Sequence, residues 1–558
     1  MSATLTIAGL DVARGPRTLV SGLALGLTEG DVVALVGANG SGKSTLMLTL
    51  AGELAVETGE VRLSPPEATV AYLPQVLPTR DETLLGYTRR RTGVEAADRD
   101  LESASDALAR EDAGAEDRYD AALEHWLALG AADLADRLPE VASRVGLTVD
   151  PARPLGSLSG GQAARASLVA VLLSRHDVLL LDEPTNDLDA RGIEAMVDFV
   201  GSHRGPVMVA SHHRAFLDRV ATRVVELDLV QQRIGHYPGG WSDYAAAREL
   251  ERAQEWQAYD GYAAARDRLV DQSRQRQEWA AKGQRSVKSG AEADKHLRER
   301  DKARADKQAG KAARLRHAVD RLEVVEQPRK EWHLRYVIAE GPSSAEVVAT
   351  LVDAVVERDE FVLGPVTLTV GRGDRVAVLG DNGSGKTTLL QALLGDLPLT
   401  RGRQSVGSRV ELGVIDQQRR LLDRDEPVIE VVREAIGIDD DAEGRTLLAK
   451  FGVGAAHVQR PARSLSLGER TRVLLAVFQG RAVNTLVLDE PTNHLDVQAI
   501  EQLEAALVQF TGTLVVVSHD QALLDAVGMT HRWHVRAGRI VVDMPRPSAA
   551  RPKDFGAL

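Results

Sequence analysis

GANGSGKST, residues 37–45, follows the apolar run VVALVG and leads into STLMLTLAG. A short all-apolar run before a glycine cluster reads as a buried strand, and the periodic run after it reads as a helix. Glycines at that junction mark a phosphate-binding loop, because the bare backbone lets its N–H groups wrap phosphates at the helix N-terminus. Gly37, Asn39, Gly40 and Gly42 would form the cradle, with Lys43 reaching the β and γ phosphates and Ser44 and Thr45 opening the helix.

The motif is written twice. GDNGSGKTT begins at Gly380, an offset of 343, and supplies Gly380, Asn382, Gly383, Gly385, Lys386, Thr387 and Thr388. VAYLPQ, ending at Gln75, recurs as LGVIDQ, ending at Gln417, an offset of 342. LSGGQ (158–162), LLLDEPTN and SHHRAFLD then recur as LSLGE (465–469), LVLDEPTN and SHDQALLD, all at an offset of 307. Ordered matches at near-constant spacing signify a duplicated α/β domain. The first copy holds about 35 extra residues, from the difference of the two offsets, and its segment 98–147 reads as helical.

VLLLDE and TLVLDE are apolar strands ending in paired carboxylates. Asp182 and Asp489 would support Mg²⁺ together with Ser44, Thr387, Gln75 and Gln417. Glu183 and Glu490 would polarise the attacking water, since hydrolysis needs a nucleophile held in line with the γ-phosphate. His212 and His519 each stand 29 residues after the glutamate and read as γ-phosphate sensors.

In this order, the P-loop, the glutamine, LSGGQ, the DE strand and the histidine resemble ATP-binding-cassette ATPase domains. The resemblance implies two P-loop domains paired head to tail within one monomeric chain, using ATP and Mg²⁺. Ser159, Gly160, Gly161 and Gln162 would then close over the ATP held by Lys386, and Ser466, Gly468 and Glu469 over the ATP held by Lys43. The second signature departs from the family pattern at Leu467 and Glu469. The family's adenine-stacking aromatic would fall at Val20 and Leu363, and neither is aromatic.

Four segments are expected: residues 1–243 and 345–542 as the two cassettes, 244–344 as a linker, and 543–558 as a short tail. The linker is poor in Val and Ile and rich in Arg, Lys, Ala, Gln and Glu, which predicts two long antiparallel helices. KGQRSVKSG (282–290) is expected to be the loop between them. Although the chain carries a formal net charge of −13, residues 274–316 hold fourteen basic and six acidic side chains, leaving −21 elsewhere (−13 minus +8). At 100° per residue, Arg300, Arg304, Lys307, Lys311 and Arg314 fall on one stripe. Such a stripe suits phosphate positioning and A-form RNA recognised by shape.

Two cassettes joined by a charged helical hairpin resemble the ABC-F family of ribosome-binding proteins, and HYPGGWSDYAAAREL (236–250) resembles that family's junction. The resemblance implies a factor that binds the ribosomal E site when ATP closes it, reaches tRNA and rRNA through the hairpin, and leaves on hydrolysis. Antibiotic resistance by ribosome protection and modulation of translation are both compatible with it. The absence of cysteine, of a secretory signal and of an apolar run long enough for a bilayer fits a cytoplasmic protein. A transporter motor with a separate membrane partner is the alternative reading. A DNA-repair cassette protein is a third, which the missing cysteines and the short Pro-rich end argue against.

Overall fold

The structure, a computed structural model, describes residues 3–15, 17–73, 81–158, 160–186, 188–229, 233–289, 295–325, 327, 344–358, 361–416, 419–493 and 495–543. Two compact units emerge: Met1–Ser242 together with His333–Leu558, and Asp243–Trp332.

The first unit contains both repeats, each built on a six-stranded sheet. In the first repeat the order is Val70–Leu73, Val178–Asp182, Val207–Ala210, Val32–Val36, Arg223–Asp228, Arg233–Pro238. All neighbours are parallel except the final antiparallel pair. The second repeat matches it: Leu412–Ile415, Thr485–Asp489, Thr513–Val517, Arg375–Leu379, His531–Arg536, Arg539–Asp543. The central strands VVALV, VLLLD, TLVLD and TLVVV are buried at every position. That explains their unbroken apolar runs: a parallel strand covered on both faces has no polar side to alternate with. Each repeat adds a three-stranded antiparallel sheet, Thr4–Arg14 with Arg17–Leu27 and Thr58–Ser64, and Val347–Arg358 with Phe361–Gly371 and Arg401–Val406. Leu5, Leu23, Val33 and Leu46 tie the sheets of the first repeat into one core, as Leu351, Leu368, Val378 and Leu389 do in the second.

The extra residues of the first repeat are helical, with helices Val94–Ala109, Ala115–Ala128 and Leu134–Arg144. Trp126 fastens the first two, its indole N–H donating to Asp98 at 2.7 Å.

The second unit is a pair of helices, Trp241–Ser289 and Lys295–Asp320. At 1.5 Å per residue the longer one spans about 74 Å. Arg276 Nη1 donates to Gln308 Oε1 at 3.2 Å, which sets the antiparallel pairing. The loop expected at residues 282–290 is displaced: Lys282 to Ser289 complete the first helix. One glycine, Gly283, costs a helix only about 1 kcal/mol, and the surrounding Lys, Gln and Arg favour it. Arg304, Lys307, Lys311 and Arg314 are exposed on the second helix; Arg300 lies on the same helix, and its side chain is outside the described residues.

Candidate active site

Each P-loop runs from a buried strand into a helix beginning at its lysine, Lys43–Leu50 or Lys386–Leu394. Gly42 and Gly385 cap these helices with φ of 100° and 106°, a region that favours glycine. A Cβ there would also strike Leu19 Cβ at 2.9 Å or Phe361 Cζ at 2.5 Å. Lys43 Nζ donates to the Gly37 and Ala38 carbonyls at 2.7 and 3.3 Å, and Lys386 Nζ to Gly380 O at 2.6 Å. The ammonium groups therefore sit inside their own loops. Burial lowers the pKa of Lys43, partly offset by Glu183, Asp496 and Asp182.

At the strand ends the carboxylates stand beside the P-loop helix. Thr387 Oγ1 donates to Asp489 Oδ2 at 2.8 Å, and the Ser44 side chain bonds to Asp182. Mg²⁺ fits these paired hydroxyls and carboxylates, both hard oxygen donors, and would offset phosphate charge there. Burial raises the pKa of both Asp182 and Asp489. In the first repeat only, Tyr72 also donates to Asp182 Oδ2 at 3.2 Å; the matching residue at an offset of 342 is Val414.

Glu183 and Glu490 follow directly, and both take left-handed backbone, at φ 51° and 47°. That region costs a non-glycine residue about 1–2 kcal/mol, and such strain persists where surrounding structure enforces it. Glu183 Oε1 lies 3.1 Å from His212 Nε2, and Glu490 Oε1 lies 3.2 Å from His519 Nε2. Neither oxygen of Glu183 makes an aligned hydrogen bond among the described residues. Burial pushes the Glu183 carboxyl up to about 8, with Lys43 pulling the other way. Burial also lowers His212 far below its ordinary value and, with Lys386, takes His519 to about 4. Both imidazoles are thus neutral at physiological pH, and His519 Nε2 accepts from Lys386 Nζ at 3.1 Å.

The two repeats complete each other. A cavity of about 750 Å³ is lined by Gln162 and Arg165 of one repeat and by Asn382, Gly385, Lys386 and Glu490 of the other. Asp189 Oδ2 accepts from Asn382 N at 3.0 Å and from Arg165 Nη2 at 3.0 Å; Arg165 also reaches Asn382 O at 3.1 Å. In mirror fashion Asp496 Oδ2 accepts from Asn39 N at 2.9 Å. Both aspartates also cap their own helices, Ala190–Ser202 and Val497–Gln509, through the Gly192 and Ala499 amides. Burial raises the Asp189 carboxyl, but the Asn382 and Gly192 amides and Arg165 outweigh it and leave it below its usual range.

Sequence reasoning missed Asp189 and Asp496, although they too are separated by 307. It also missed Phe361. Val20 and Leu363 are core residues, 3% and 2% exposed, whereas Phe361, on the same strand face as Leu363, lines the cavity. Phe361→Ala is expected to weaken ATP binding at the second site about tenfold, within the range of ring–base stacking. Calorimetric titration should show one class of site shifting while the other stays; two unshifted classes would remove Phe361 from the site.

Ser466 caps helix Leu467–Gly480, its Oγ accepting from Glu469 N at 3.3 Å while Glu469 Oε2 accepts from Ser466 N at 2.8 Å. Glu469 thus completes a capping box, a role that glutamate serves as well as glutamine. Gly468 lies in the first turn of the same helix, as Gly160 and Gly161 do in Gly160–Leu172. Gly40, Gly383, Thr45 and Thr388 stay within the two P-loops and their helices. Ser159, Gln75 and Gln417 lie outside the described residues.

The ABC transporter family model matches residues 20–186 and 363–493. The tylosin resistance ATP-binding protein TlrC of Streptomyces fradiae is 33% identical, covering 94% of this chain and 95% of its own. The energy-dependent translational throttle protein EttA of Mycobacterium tuberculosis is 32% identical, over 92% of this chain and 88% of its own. Among solved structures, RNase-L Inhibitor shares the fold with a TM-score of 0.56 at 19% identity, over 95% of this chain and 88% of its own. Two P-loops completed across a shared interface, family matches in both halves and relatives spanning nearly the whole chain lead to one assignment: the protein belongs to the ABC-F family and is an ATPase with two ATP-binding cassettes in a single chain.

Proposed function

We propose that this ATPase acts on the ribosome. ATP and Mg²⁺ hold the cassettes together, the closed form occupies the E site, and the hairpin contacts P-site tRNA and rRNA. Hydrolysis then releases the protein. The observation that carries this reading is the hairpin itself: a separate unit whose second helix exposes Arg304, Lys307, Lys311 and Arg314 on a chain that is otherwise strongly acidic. Bulk RNA would repel the acidic body and draw in the hairpin, so charge supplies orientation as well as attraction. The names of two relatives, one for tylosin resistance and one for a translational throttle, agree with work at the ribosome in the cytoplasm. Between those roles the reading inclines to protection against an antibiotic, with the drug displaced through the tRNA and not by direct contact with the hairpin. Among the described residues no helix is long and apolar enough to cross a membrane.

The test is sedimentation of Glu183→Gln/Glu490→Gln protein with 70S ribosomes on sucrose gradients. Co-migration that requires ATP is expected. Neutralising Arg300, Arg304, Lys307, Lys311 and Arg314 should flatten the slope of log affinity against log salt by about 0.7–0.9 for each phosphate that a removed charge had neutralised. Failure to co-migrate while ATP still binds would reject the ribosome and direct attention to a membrane partner.

A further inference from the structure

Arg419 breaks two ordinary rules at once. Its side chain is buried, 1% exposed, and its backbone is left-handed at φ 49°. Among the described residues no carboxylate bonds it directly; nearby Asp416 pairs with Arg420, at 3.4 Å, and favours the Arg419 charge only from a distance. A buried guanidinium bonded only to neutral groups carries a large desolvation penalty. Burial lowers its pKa to about 10, so it remains charged at neutral pH. An outlier of this kind calls for a functional reason.

The bonding partners supply one. Arg419 Nε donates to Thr471 Oγ1 at 3.0 Å, and Nη2 donates to Pro491 O at 3.3 Å. Thr471 Oγ1 in turn donates to Leu467 O at 2.9 Å, the first residue of the helix that Ser466 caps. Pro491 directly follows Glu490, and Arg419 comes two residues after Gln417. One side chain therefore joins the glutamine loop, the start of the signature helix and the backbone beside the catalytic glutamate.

The sequence of the first cassette does not provide for this junction. At the offsets of 342 and 307, the counterparts of Arg419 and Thr471 are Leu77 and Ala164, so both bonding partners are replaced by apolar residues. Because the signature of each cassette faces the ATP of the other, the Ser466 end of this junction serves the first site, while the Glu490 end serves the second.

The geometry points to Arg419 as a positioning residue that couples the two ATP sites in one direction, fixing the Ser466 signature at the first site according to the state of the Glu490–Pro491 backbone at the second. This rests on the composite pairing of the cassettes but not on ribosome binding. Coupling of affinities between sites is ordinarily about 5- to 150-fold and reciprocal, whereas coupling of turnover, as proposed here, need not be symmetric.

The experiment reads each site separately. In Glu490→Gln protein the turnover belongs to the first site, and in Glu183→Gln protein to the second. Thr471→Val keeps the side-chain shape and removes the hydroxyl. It is expected to slow the first site about tenfold with its KM for ATP unchanged, and to alter the second less than about twofold. Arg419→Met added to Thr471→Val should slow the first site no further, since both break one path. A simple loss of packing in the second cassette would instead slow the second site, whose P-loop and glutamate belong to that cassette. Equal effects at both sites, or additive effects at the first, would overturn the proposal. Ser466→Arg separates failure of the pairing from failure of the coupling: it should stop the first site selectively, and stopping the second instead would overturn both.

Discussion

Glu183→Gln/Glu490→Gln protein is expected to hydrolyse ATP about 10²- to 10⁴-fold more slowly than the parent, the usual contribution of a positioned general base. Glutamine keeps the shape of each side chain but cannot take a proton from water. ATP binding should survive, because the P-loop lysines bond to carbonyls of their own loops, and Lys386 also to His519, but neither bonds to the glutamates. Burial resists charge on the Glu183 carboxyl, so a neutral amide is well tolerated there. Nucleotide should consequently stay bound, visible as retained radiolabelled ATP after gel filtration. The single variants divide the loss between sites. Persisting turnover in the double variant would move the base elsewhere, with His212 and His519 the nearest groups.

Asp189→Ala/Asp496→Ala protein should lose ATP-driven closure of the cassettes. Each carboxylate accepts a P-loop amide from the other cassette, Asn382 N or Asn39 N, and hydrogen bonds to charged groups contribute about 1.5–3 kcal/mol. Losing one at each site weakens closure by roughly 10- to 150-fold per bond. The same substitution also removes a helix cap worth about 1 kcal/mol, so lower stability alone would prove nothing. Asparagine resolves this, because it caps as well as aspartate but brings no charge to the interface. Fluorescence transfer between labels on the two cassettes should show Asp→Asn protein closing weakly, with the melting temperature kept in Asp496→Asn and lowered in Asp189→Asn, where Arg165 loses a buried partner. Closure at parental ATP concentrations in both variants would reduce the aspartates to helix caps.

Much of this site could be read from sequence because its chemistry is local. The P-loop needs nine adjacent residues, and the strand with its acid pair needs six, so each signal is complete within one short window. Arg165 has no such window: its bond to the Asn382 carbonyl spans 217 positions and exists only once the cassettes pair. Asp189 and Asp496 repeat at the right spacing, yet an aspartate before a helix already has a sufficient explanation as a cap. Phe361 was overlooked because alignment placed the aromatic two residues later, at a position the strand turns into the core. The glycines and serines of KGQRSVKSG read as a turn, yet its Lys, Gln and Arg continue the helix to Ser289.

The single-chain pairing has an evolutionary consequence. Had the two halves been separate copies of one polypeptide, every substitution would have appeared at both nucleotide sites, and a change useful at one would have been tested for harm at the other. Fusion after duplication lifts that symmetry. Phe361 stands opposite one P-loop glycine where Leu19 stands opposite the other, and Arg419 with Thr471 corresponds to Leu77 with Ala164. Tethering also makes the meeting of the halves intramolecular, at an effective concentration set by the length and stiffness of the linker. The halves therefore meet without needing a strong interface of their own, which leaves each half free to specialise.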